Sequence, residues 1–132
     1  MSLKITLKPH EKVVIGGAVI KNGSVGIHFL VENNVPILRQ TDIITEHEAV
    51  TPCRRLYLAI QLMYIDSERR AETYPLYEEL AKELLEAAPS MKDLISQISQ
   101  AIVGDSYYQA LKQTKKLITY EEELLRNGSK LG

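Results

Sequence analysis

Ile43-Ile44-Thr45-Glu46-His47-Glu48-Ala49-Val50-Thr51-Pro52-Cys53-Arg54-Arg55-Leu56 is the stretch on which the reading of this chain turns. Before it, apolar residues recur every second position. After it, they recur at helical spacing. Thr51-Pro52 marks the change most sharply, since threonine suits an N-cap and proline suits the first helical position. Leu56, Leu58, Ala59, Leu62, Met63 and Ile65 follow at helical spacing.

Upstream, Leu3, Ile5 and Leu7 alternate with Lys4, Thr6 and Lys8, which predicts a strand with one apolar face. Pro9-His10-Glu11 breaks it. Val13-Val14-Ile15, stopped by Gly16-Gly17, predicts a second strand, and Ala18-Val19-Ile20 a third. Asn22-Gly23 has the chemistry of a tight hairpin turn, so Val25–Val31 is expected to return against that third strand. Val35–Leu38 reads as a last short strand, with Pro36 suited to a sheet edge.

Downstream, a second periodic stretch carries Leu76, Leu80, Leu84 and Leu85, with Pro75 expected to kink it or open its main segment. Ser90-Met91-Lys92-Asp93 starts a third helix that Gly104 closes. Asp105 is positioned to cap a fourth. The expected class is α+β. An antiparallel sheet or barrel-like unit of about five short strands spans residues 1–45. A bundle of three to four helices spans 46–132.

Composition narrows the function. The chain has 132 residues, of which 45% are hydrophobic, enough for a real core. No apolar run reaches the roughly 18 residues of a membrane span. Met1-Ser2-Leu3-Lys4 leads straight into alternating sequence without an apolar leader, so a cytoplasmic location is expected. Cys53 is the only cysteine, which rules out an intramolecular disulfide. The net charge of -1 is unlike that of a strongly basic nucleic-acid binder, so any RNA contact must come from a local patch or an oligomer.

Catalytic patterns are missing. His10, His28 and His47 have no metal-ligand spacing, and no cysteine pair accompanies them. There is no phosphate-binding loop and no nucleophile elbow. Glu78-Glu79 and Glu121-Glu122-Glu123 read as solvated helix faces. Cys53 reads as an inert thiol in the first turn of a helix. We expect no enzyme and no cofactor.

Several motifs in order are more specific. Ser2-Leu3-Lys4-Ile5-Thr6-Leu7-Lys8-Pro9, Glu11-Lys12-Val13-Val14-Ile15 and Gly17-Ala18-Val19-Ile20 open the chain. Ile37-Leu38-Arg39-Gln40 and Asp42-Ile43-Ile44-Thr45-Glu46 follow. Then come Thr51-Pro52, Leu56-Tyr57, Gln61-Leu62-Met63-Tyr64, Tyr107-Tyr108-Gln109-Ala110-Leu111-Lys112 and Tyr120-Glu121-Glu122. Over nearly its whole length the chain resembles the FlbT family of flagellar biosynthesis repressors. That resemblance implies repression of flagellin synthesis after transcription, at the 5′ untranslated region of flagellin mRNA, with decay of the message. It also implies FlaF as a partner. The first strands are more weakly similar to the CsrA translational regulators, which bind RNA through the first strand and an arginine after the last. Lys8 and Arg39 match those positions. Leu7 stands where those regulators have a basic residue, and His10 where they have glycine.

Lys4, Thr6, Lys8 and Arg39 are therefore candidate RNA contacts. Equally, Lys4, Thr6 and Lys8 are residues that keep an exposed strand soluble and unpaired. Arg54 and Arg55, at a helix start, could hold a phosphate or form salt bridges. With Tyr57 and Tyr64 they make a candidate partner surface, because all seven tyrosines lie in the helical part. A rival reading is a protein-interaction adaptor that binds FlaF or flagellin and affects the message indirectly. Free strand edges would also suit a homo-oligomer.

Overall fold

A computed structural model describes residues 2–131, with side chains to residue 128. Five strands come first: β1 (Leu3–Leu7), β2 (Lys12–Ile15), β3 (Ala18–Lys21), β4 (Ile27–Val31) and β5 (Ile37–Arg39). Four helices follow: α1 (Pro52–Ile65), α2 (Arg70–Ala87), α3 (Lys92–Val103) and α4 (Tyr107–Leu131). The class is α+β, as expected. Two compact units divide the chain, one running to Ile43 and the other starting at Ile44.

In the β unit every pairing is antiparallel, and there are two sheets: β1 with β4, and β3-β2-β5. Alternation buries Ile5, Leu7 and Val13 almost completely, with Ile15, Phe29, Val31 and Ile37 packed around them. The hairpin differs from the expectation. β3 returns against β2 through Gly16-Gly17, with Ile15 opposite Ala18, and Gly16 takes the φ of +60° that such a tight turn demands. The segment after Asn22-Gly23 leaves β3 and pairs with β1 instead. Asn22 is a buried tie. Its Nδ2 donates to the carbonyls of Lys8 (2.8 Å) and Val25 (2.9 Å), with a longer approach to Leu7 (3.4 Å). Its Oδ1 accepts from the Gly23 N–H at 2.8 Å. Pro36 lies just before the edge strand β5, and its carbonyl accepts from the Gly16 N–H.

The helical unit begins as its cap predicts. Thr51 Oγ1 accepts from the Arg54 N–H at 3.2 Å, and Pro52 opens α1. Leu56, Tyr57, Ile60 and Met63 of α1 meet Tyr77, Ala81 and Leu84 of α2, Ile95, Ile98 and Ile102 of α3, and Ala110, Leu111 and Leu117 of α4 in the core of this unit. The inner face of α2 is thus Tyr77–Ala81–Leu84, while Leu76 is exposed. Pro75 lies inside α2, which continues through it. At the end of α3 the left-handed residue is Asp105 (φ 57°) rather than Gly104. The Ser106 N–H reaches the Ala101 carbonyl and the Asp105 N–H the Ile102 carbonyl, a Schellman closure. The residue directly before α4 is Ser106, so Asp105 ends α3 and does not cap α4.

Candidate nucleic-acid interface

Strand alternation gives the β1–β4 ribbon two chemically distinct faces. Ile5 opposite Phe29 points to the core. On the outer face Lys4 stands opposite Leu30, and Thr6 opposite His28, all four exposed. Arg39 comes from the other sheet, where it pairs with Val13. Its Nη1 nonetheless donates to the Thr6 carbonyl at 3.3 Å. That contact brings the arginine to the ribbon although 33 residues separate it from Thr6. Lys8 follows β1 in a turn closed by Glu11, whose carboxylate accepts from the Lys8 N–H at 2.8 Å. A negative charge therefore sits beside that end of the ribbon.

Arg54, Arg55, Tyr57 and Tyr64 are not one surface. Tyr57 is 3% exposed and belongs to the core of the helical unit. Arg54 pairs with Glu122 at 2.8 Å. Arg55 is exposed. Tyr64 is half-buried, its ring 6.5 Å from that of Tyr108 and tilted by 47°.

The start of α1 already holds an anion. Glu121 of α4 is 6% exposed and accepts from the Cys53 N–H at 3.0 Å through Oε2. A carboxylate is well placed at a helix N-terminus, where the backbone dipole favours negative charge. Its other oxygen has no hydrogen-bond partner among the described residues. Glu121 was expected on a solvated face, and it is instead an inward residue of α4. Its place on the Ala110, Thr114, Leu117, Glu121 stripe is the sequence signal that could have shown this. Burial first, then the Glu121 charge and hydrogen bond, push the Cys53 thiol well above its ordinary range. A thiol held protonated is a poor nucleophile. Among the described residues no cluster of histidine, cysteine and carboxylates could hold a metal ion, and no helix is long and apolar enough to cross a membrane.

Residues 3–125 match the family described as flagellar protein FlbT. A probable flagellum biosynthesis repressor protein FlbT of Rhodopseudomonas palustris (strain TIE-1) is 41% identical over 129 residues, covering 95% of this chain and 98% of that protein. The probable flagellum biosynthesis repressor protein FlbT 1 of Bradyrhizobium diazoefficiens is 42% identical over 125 residues, covering 94% of this chain and 85% of its own length. The flagellum biosynthesis repressor protein FlbT of Caulobacter vibrioides (strain ATCC 19089) is 38% identical over 131 residues, covering 95% and 90% of the two chains. No solved structure matches.

Proposed function

The chain belongs to the FlbT family of flagellar proteins, and on that premise we propose that it represses flagellum biosynthesis after transcription. It associates with the 5′ untranslated region of flagellin mRNA through its β unit, in the cytoplasm, and promotes degradation of the message. The observation that carries this reading is the Arg39–Thr6 contact, which brings a guanidinium to the backbone of the strand whose outer face bears Lys4. Cations on an exposed ribbon give phosphate contacts, and an arginine fork can pair with or stack on an unpaired base. Repression needs no chemistry from the chain. It follows from covering the ribosome-binding region or presenting the message to nucleases.

Fluorescence anisotropy with a flagellin leader RNA and a scrambled RNA of equal length tests this. Leader-selective binding that weakens with salt, and is abolished in the Lys4→Glu/Arg39→Glu double variant, is the expected result. Binding unchanged by the double variant refutes the β-surface assignment.

A second reading rests on the helical unit. Leu62 and Tyr108 are 42% and 43% exposed, and tyrosine is a side chain that protein partners bury. An adaptor that binds FlaF or flagellin through this surface would act on the message indirectly. Absence of RNA binding combined with capture of purified FlaF favours it. Self-association is a related proposal. β3 is an edge strand exposed along its whole length, with Val19 at 70%, and edge strands invite pairing with a second copy. Sedimentation that returns only monomer at micromolar concentration refutes it.

A further inference from the structure

The outer face of the β1–β4 ribbon is not simply cationic. Between its charges lie His28, opposite Thr6, and Leu30, opposite Lys4. Two positions apart on one strand, they share a face. Leu30 is 58% exposed, one of several large apolar side chains that the β unit leaves open to solvent. Leu30 also lines an open cleft of about 410 Å³, with Ile15, Val31, Val35, Asn33 and Glu32. A ring and an exposed aliphatic side chain beside an open cleft of mixed polarity, with Lys4 on the same face and the Arg39 guanidinium at the Thr6 backbone, suit a nucleobase. Unpaired bases are bound by stacking on aromatic planes, histidine included, while neighbouring cations hold the phosphates.

We infer that His28 and Leu30 form the base platform of this interface, with single-stranded RNA as the ligand class. The inference rests on the RNA reading proposed above and assigns it a division of labour. Lys4 and Arg39 hold the sugar–phosphate chain. His28 carries the base by its ring face. Leu30 extends that platform to the mouth of the cleft, where the Asn33 amide can meet a base edge and Glu32 disfavours phosphate. The chain's near-neutral charge fits this arrangement, because stacking supplies affinity that net charge does not.

The test separates stacking from electrostatics by salt dependence. The full chain and its His28→Ala, His28→Phe and Lys4→Ala variants are titrated against the flagellin leader and the scrambled RNA over a range of salt. Circular dichroism confirms that each variant is folded. His28→Ala is expected to weaken leader binding about tenfold while leaving the slope of log affinity against log salt unchanged. His28→Phe keeps a ring and is expected to restore binding. Lys4→Ala is expected to lower the salt slope, by roughly 0.7 for one lost phosphate contact. If the parent chain binds the leader and His28→Ala binds equally well, or if His28→Phe fails to restore binding, the platform is wrong and the RNA reading stands. If the parent chain binds neither RNA at low salt, the RNA reading falls and takes the platform with it. His28→Ala weakening capture of purified FlaF without affecting RNA would make this face a protein contact and overturn the inference.

Discussion

Replacing Asn22 by alanine is expected to open the β unit while the helices stay protected. The side chain donates at 2.8 and 2.9 Å to the Lys8 and Val25 carbonyls and accepts at 2.8 Å from the Gly23 N–H. At a net contribution of about 1 kcal/mol per hydrogen bond, these three are worth roughly 3 kcal/mol. The longer approach to Leu7 is left out of that figure. Stability of about 0.05–0.15 kcal/mol per residue gives a unit of this size only some 2–6 kcal/mol in all. The lost interaction is thus comparable to the whole. Native-state hydrogen exchange reads it directly, because about 3 kcal/mol corresponds to roughly a hundredfold loss of protection. The amides of Ile5, Leu7 and Phe29 should lose protection by that factor, and those of Ile60 and Ile98 should not. Loss of less than about tenfold at the strand amides would show that Asn22 is a surface turn residue and not a tie. Asn22→Asp is a useful companion, since it keeps the acceptor for Gly23 and removes both donations.

Three other substitutions probe the helical unit. Asp105→Gly should raise stability by about 1 kcal/mol in urea denaturation, because the left-handed conformation that costs aspartate is open to glycine; a loss of stability would mean the Asp105 side chain has a favourable role. Thr51→Ala removes the cap on the Arg54 N–H and should cost about 1 kcal/mol, measured the same way. Cys53 keeps its proton more firmly folded than unfolded, from an ordinary value near 9, so its contribution is full below about pH 9 and falls as pH rises above that. The urea midpoint should therefore drop between pH 9 and 10, and Cys53→Ala should flatten that slope; parallel slopes would refute the buried-thiol account.

Local chemistry was legible in the sequence, and choices among distant partners were not. Thr51-Pro52 announced α1 because an N-cap is decided by adjacent residues. The strand faces of β1 were legible because alternation is a property of the strand itself. Asn22-Gly23 misled because turn propensity does not say which strands will pair. Gly16-Gly17 took the two-residue turn, and the side-chain amide of Asn22 ties the distant Lys8 carbonyl to the nearby Val25 carbonyl. Gly104 and Asp105 show the same limit at one residue's scale. The closing hydrogen bonds to Ala101 and Ile102 set the register, and the left-handed position fell on the aspartate. Of the candidate site, the cations on β1 were readable. The approach of Arg39 to Thr6 and the facing of Thr6 by His28 both depend on strand order, which β4 settled by leaving β3 for β1.

Strand order and helix packing together also decide where an anionic ligand can go. Two cationic places were candidate anion sites: the pair Arg54 and Arg55 at the start of α1, and the set on β1 with Arg39. At the first, the protein's own carboxylates have arrived before any ligand. Glu121 takes the Cys53 N–H, Glu122 takes the Arg54 guanidinium, and Thr51 takes the Arg54 N–H. A phosphate there would have to displace a buried carboxylate and an ion pair, at a cost that one exposed Arg55 does not offset. At the second, Lys4 and Thr6 are exposed on the outer face of the ribbon, Arg39 reaches the Thr6 carbonyl from β5, and the Glu11 carboxylate is hydrogen-bonded at the Lys8 end. Of these two places the outer face around Lys4 and Thr6 is the one left open to an anion, and Arg54→Ala should loosen the helical unit without changing RNA affinity. An Arg54→Ala variant that stays folded yet loses leader binding would reverse the assignment.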